Sequence, residues 1–275
     1  MTSTPRTNGR DRRISTGTLA LAVTEYPSDA PPVVLIHGIS SRGVTWWPVI
    51  DELATIAHLY VLDLRGHGAS DKPATGYLLP DYAVDLAAVL DELNLVQPAI
   101  LGHSLGSLVT LEWAKGNPNR ASSIILEDPP LRPLSNAEER FAEWITLAAM
   151  PVDQVAARFR LEDPTWTDED CQRRAESITM TAPGVFIDLR SDSESQLAVG
   201  TDRIADLAVI ESPTLVVYGD LDAGSVTVPD DVDRLLTKVA GSRAVQISGA
   251  SHNIHRDRTA EFLAVVRPFL ETILR

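Results

Sequence analysis

Apolar residues fall along this chain in two alternating rhythms. Short unbroken runs at Val33 to Ile36, Leu59 to Leu64, Ala99 to Leu101, Ser123 to Leu126, Thr214 to Tyr218 and Ala244 to Ile247 suit strands buried on both faces. Between them, apolar spacings of three and four predict helices over Thr45 to Ala57, around Tyr82, Leu86, Val89, Leu90 and Leu93, and over Phe262 to Ile273. A further helix, marked by Leu105, Leu108, Val109, Leu111 and Trp113, is stopped by Gly116-Asn117-Pro118. Gly17 to Tyr26 reads as an edge strand or hairpin arm before the proline-rich turn from Pro27 to Pro32. Residues 1–13 are polar, basic and threonine-rich without a period, and are expected to be a disordered leader. This alternation predicts an α/β protein with a mostly parallel twisted sheet flanked by helices and sites at the carboxyl ends of its strands.

One interval breaks the alternation. Residues 129–207 contain no convincing strand and several helical patterns, so they are expected to be a helical insertion into a core formed by 14–128 and 208–275. Ser135 and Glu138 make a capping box ahead of a helical face of Phe141, Trp144, Ile145, Ala148 and Ala149, which Pro151 ends. A second pattern runs Val152, Val155, Ala156, Phe159, and Thr167 to Met180 is a third. Ala182-Pro183-Gly184 then interrupts before Val185-Phe186-Ile187. Trp144, Met150 and Phe186 are the candidate substrate contacts of this insertion.

Composition narrows the partners. The 275 residues are 44% hydrophobic, enough for a large core without staples. The single cysteine, Cys171, excludes an internal disulfide and reads as a small buried residue, and no Cys/His spacing suggests a metal site. A net charge of −14 argues against nucleic acid or an anionic membrane surface as a partner. A small neutral or apolar ligand, no cofactor, a monomer or homodimer and a cytoplasmic location are expected. No stretch has the length of a transmembrane helix, and Arg10 to Arg13 lack the apolar run of a secretory signal.

The candidate chemistry sits at the strand ends. Gly102-His103-Ser104-Leu105-Gly106 joins an apolar run to a helical one, so Ser104 falls at the apex of a sharp turn, where the flanking glycines let strand and helix backbones approach. Ser104 is the candidate nucleophile. A serine hydroxyl needs a base, and His252, in Gly249-Ala250-Ser251-His252 after the last strand, fills that role better than His58, His67, His103 or His255. His103 adjoins Ser104 but is expected to point the opposite way along its strand. The acid that orients His252 is Asp222, in Tyr218-Gly219-Asp220-Leu221-Asp222, or Asp128, in Leu126-Glu127-Asp128-Pro129, with Asp220 and Glu127 as lesser candidates. Backbone amides of Ile39 and Leu105 would hold the oxyanion of a tetrahedral intermediate, and His37 is expected to be a structural imidazole.

His37-Gly38, Asp63-Leu64-Arg65-Gly66-His67-Gly68-Ala69-Ser70, Gly102 to Gly106, Gly219 to Asp222 and Gly249 to His252, in that order, resemble the α/β-hydrolase fold superfamily from Pro32 onward. The resemblance implies that 129–207 is a helical cap over the active site and that Arg65 to Gly68 is a structural loop. Family members commonly have a proline soon after the acid of the Asp222 position, whereas Ala223 to Val228 intervene here before Pro229. Some relatives take their acid from the earlier strand, which keeps Asp128 beside Asp222. The function expected is a cofactor-free serine esterase or lactonase acting on a small apolar substrate through an acyl-enzyme. The alternatives are C–C bond hydrolysis, haloperoxidase or perhydrolase chemistry, a lyase or cyclase step, or a receptor without turnover.

Overall fold

The computed structural model describes residues 8–134, 136–162, 166–191 and 202–274. Eight strands form one sheet: β1 (Arg10–Ser15), β2 (Ala20–Tyr26), β3 (Pro32–Ile36), β4 (His58–Leu62), β5 (Ala99–His103), β6 (Ser123–Glu127), β7 (Thr214–Tyr218) and β8 (Arg243–Gln246), in the spatial order β1-β2-β4-β3-β5-β6-β7-β8. From β4 to β8 the neighbours are parallel; β2 pairs antiparallel with β4 and with β1. The helices are α1 (Trp47–Leu53), α2 (Leu79–Glu92), α3 (Leu105–Gly116), α4 (Ala137–Ala148), α5 (Val152–Glu162), α6 (Asp168–Thr179), α7 (Pro183–Ser191), α8 (Pro229–Lys238), α9 (Ile254–Asp257) and α10 (Thr259–Ile273).

β3, β5 and β6 are buried along almost their whole length, as two-sided cover by helices requires. Their side chains alternate between two cores. Val34, Ile36, Ile100 and Leu126 face a core shared with α2, α3 and the insertion, while Val33, Leu35, Leu101 and Ile125 face one shared with α1 and α10. Parallel strands end together, so the loops after β3, β5, β6 and β8 open onto one edge.

Two expectations are corrected. Arg10 to Arg13 are not part of a leader but lie in β1, paired with β2. Only Ile14 of that strand is buried, so an exposed edge strand with charged side chains carries no apolar period to betray it. The helix expected from Thr45 begins as a 3-10 turn at Gly43–Trp46 and becomes α1 at Trp47, with proline in its first turn. Residues 1–7 and Ser135, half of the expected capping box, lie outside the described residues; α4 begins after Asn136 without a side-chain cap. The interval between β6 and β7 supplies α4 to α7 and no strand among the described residues. No described helix is long and apolar enough to cross a membrane.

Candidate active site

The turn between β5 and α3 sets the geometry. Ser104 has φ 52 and ψ −113, a backbone conformation that a residue with a side chain adopts only under constraint. The flanking glycines are required by approach: a Cβ on Gly102 would meet the Gly106 carbonyl at 2.4 Å, and one on Gly106 would meet the Ile36 carbonyl oxygen at 2.3 Å. Ser104 N–H donates to the Glu127 carbonyl, which ties the apex to β6. The Ser104 hydroxyl lies 3.0 Å from His252 Nε2.

The other ring nitrogen of His252, Nδ1, lies 2.6 Å from Asp128 Oδ2. Asp128 is fully buried and has a positive φ of 42 at the end of β6. Its carboxylate also accepts from the Ser225 hydroxyl at 2.5 Å and from Val226 N–H at 2.9 Å. Burial works against the charged form, but the His252, Ser225 and Val226 bonds outweigh it and hold the Asp128 carboxyl below its ordinary pKa. An ionised acceptor at Nδ1 makes that nitrogen the protonated one, leaving Nε2 as the acceptor for the Ser104 hydroxyl.

Asp222 is displaced from this arrangement. It sits exposed in a short 3-10 turn, Leu221–Ala223, and His252 Nδ1 already has its partner. The extra residues after Asp222 explain the outcome, because Ser225 and Val226 fold back onto Asp128 and Thr227 Oγ1 donates to the Pro129 carbonyl. The lesser candidates are engaged elsewhere. Asp220 accepts from Gly249 N–H at 2.6 Å and Gln246 Nε2 at 2.8 Å, shaping the His252 loop. Glu127 accepts from the ring and the backbone N–H of buried His255.

Two further histidines, His37 and His103, brace the site. His37 donates from Nδ1 to the Gly38 carbonyl and accepts Leu64 N–H on Nε2, so it holds the loop after β3. His103 does not point away from the site, as the strand alternation suggested: its ring lies tilted against that of His252, with centroids 4.7 Å apart, and Nε2 donates to the His252 carbonyl at 2.8 Å. Burial holds His37 and His103 below their ordinary pKa, hence neutral. Among the described residues the backbone N–H groups of Ile39 and Leu105 meet no protein acceptor. Leu105 stands at the first position of α3, where an unsatisfied N–H and the helix dipole favour negative charge.

A cavity of about 100 Å³ opens onto Ser104 and His252. Ile39, Leu134 and Trp144 contribute apolar wall, and so does Trp166 ahead of α6. Of the expected substrate contacts only Trp144 lines it. Phe186 is fully buried behind Trp144, with ring centroids 5.7 Å apart, and Met150 packs into the core. Sequence reasoning missed three cationic members of the wall, Arg140 on α4, Arg174 on α6 and Arg256 on α9. A signal existed: Arg140 falls in the series Ala137, Arg140, Phe141, Trp144, and Arg174 in Cys171, Arg174, Ala175, Ile178, so each interrupts an inward-facing helical stripe. No group of His, Cys, Asp and Glu suited to a metal ion occurs among the described residues.

Residues 33–265 match the family model described as the alpha/beta hydrolase family. The chain belongs to the alpha/beta hydrolase family. A Mycobacterium tuberculosis protein named only as uncharacterized is 38% identical over 263 residues, covering 88% of this chain and 76% of that one. Among solved structures, an N-formylmaleamic acid deformylase from Pseudomonas putida is 26% identical with a TM-score of 0.78, covering 94% of this chain and all of that one. The naproxen esterase of Bacillus subtilis, 22% identical with a TM-score of 0.77, covers 97% of this chain and 93% of that one and shares the fold. This alpha/beta hydrolase is a hydrolytic enzyme by family, with Ser104, His252 and Asp128 aligned at the strand ends.

Proposed function

We propose that this alpha/beta hydrolase cleaves a carboxylic ester or lactone of a small substrate through an acyl-enzyme on Ser104. The observation that carries the reading is the 3.0 Å contact between the Ser104 hydroxyl and His252 Nε2, with Asp128 on the far side of the ring. His252 takes the hydroxyl proton as Ser104 attacks the carbonyl carbon, and Asp128 stabilises the imidazolium that forms. The new oxyanion is held by the N–H groups of Ile39 and Leu105, each donor of this kind contributing about 10²–10³ in rate. Collapse expels the alcohol, which receives the proton from His252. Water, deprotonated by the same ring, then releases the acid. A serine at this position cannot form the aspartyl ester of related dehalogenases and epoxide hydrolases.

The reading is tested by following release of p-nitrophenol from acyl esters of graded chain length with wild type and Ser104→Ala. Turnover by wild type with a loss of at least about 10³ in the variant is expected. Equal rates in the two proteins across the series would remove ester hydrolysis as the reaction.

A further inference from the structure

Arg140, Arg174 and Arg256 reach one cavity from three separate elements, two in the insertion and one in the core. Among the described residues none of the three makes an ion pair, although nearby guanidiniums do: Arg42 with Glu176 and Arg173 with Glu169. Two carboxylates line the adjoining cavity together with Arg174 and Arg256, make no ion pair with them and are engaged otherwise. Asp170 caps its own helix through Thr167, and Asp257 accepts from the Ser251 hydroxyl. Burial, then repulsion from Arg256 and Arg140, pushes the Arg174 pKa down to about 10. Three cations without an ion-pair partner repel one another at the pocket, and an anion placed among them would relieve that repulsion.

Aromatic rings hold the cations without neutralising them. Arg140 lies 5.9 Å from the centroid of Trp144, Arg256 5.5 Å from that of Trp166 and Arg174 5.8 Å from that of Phe159. A guanidinium over a ring keeps its in-plane donors, the fork that matches a carboxylate in two-point contact. Arg174 spends two of its donors on the carbonyl and hydroxyl of Ser40, beside Ile39, and so ties α6 to the loop after β3.

We propose that Arg140, Arg174 and Arg256 form a carboxylate-binding subsite beside Ser104, so that the substrate is a small acyl compound carrying a free carboxylate at a distance from the bond cleaved. The proposal rests on the acyl-enzyme reading and replaces the apolar substrate expected from composition with an anionic one whose hydrocarbon lies along Ile39 and Trp144. The bound anion also bridges insertion and core, since its partners come from both.

The test compares kcat/KM for monoethyl half-esters from succinate to adipate with neutral ethyl esters of equal chain length. It also measures binding of glutarate and of inorganic phosphate to Ser104→Ala protein by calorimetry. The expected result is a preference for the anionic ester of about 10- to 100-fold at the best length, the range of one or two charged hydrogen bonds. That preference should collapse in Arg140→Gln and Arg256→Gln and be partly kept in the lysine variants. Arg174→Gln alone is a poorer test, because it also releases Ser40. Equal or better turnover of the neutral esters would overturn the subsite while leaving hydrolysis standing, as would arginine variants that slow both esters in parallel. Phosphate bound more tightly than glutarate would overturn the carboxylate assignment. Glutarate binding that the arginine variants abolish, in a protein that cleaves no ester, would sustain the subsite and remove the hydrolysis reading; no binding and no preference would overturn the subsite.

Discussion

Asp128 accepts three hydrogen bonds, from His252, Ser225 and Val226, in a position without solvent. An amide there cannot accept from all three as an ion does, and it removes the charge that fixes the His252 tautomer. Asp128→Asn is therefore expected to lower kcat by about 10⁴, whereas Asp222→Asn, an exposed change, stays within about threefold of wild type. Steady-state kinetics on one chromogenic ester checks both, and similar losses in the two variants would contradict the assignment. Ser104 and His252 were legible in the sequence because each announces itself locally, through glycines around a turn or a place after the last strand. The acid was not. Two adjacent parallel strands both end in aspartate, and the tie is broken by Ser225 and Val226, whose contact with Asp128 spans nearly a hundred residues. Arg140 and Arg174 were visible as charges on apolar stripes, yet a stripe does not say whether its odd member meets a pocket or solvent.

Helices and strands carry the same lesson with different weights. Runs such as β3, β5 and β6 are buried on both faces and so were readable, while β1, exposed along its charged length, was not. The loop after β4 depends on a pair that no pattern displays: Arg65 meets Asp85 of α2 through Nε at 2.5 Å and a terminal nitrogen at 2.7 Å, both residues nearly buried. Breaking a buried pair by removing one partner strands the other charge. Asp85→Ala is expected to destabilise the fold by about 3–5 kcal/mol, measured by urea unfolding; a loss below about 1 kcal/mol would mean the pair is solvated. Gly106→Ala drives a Cβ into the Ile36 carbonyl at the start of α3. A loss of about 1–3 kcal/mol, with activity falling as the turn shifts, is expected from the same unfolding measurement paired with an ester assay.

Across the molecule, acid sensitivity follows from its buried imidazoles. Burial lowers the pKa of His37, His67 and His103 in the folded state, whereas the unfolded chain protonates them near about 6.5. Their contribution to stability is complete above that value and is lost as pH falls below it, by about 1.4 kcal/mol per pH unit for each histidine that stays neutral. Urea midpoints should therefore drop between pH 7.5 and 5.5, well above the range in which Asp128 protonates; a flat profile would contradict neutral burial. The strand order, the elbow at Ser104 and the cationic cavity meet at one edge of the sheet, where the Ser104 hydroxyl oxygen is the atom expected to react. The direct measurement is labelling with a small fluorophosphonate, followed by intact mass and peptide mapping. A single adduct on Ser104, absent from Ser104→Ala and slowed at least about 10³-fold in His252→Ala, is the predicted result. An adduct on another residue, or labelling of His252→Ala at the wild-type rate, would contradict it.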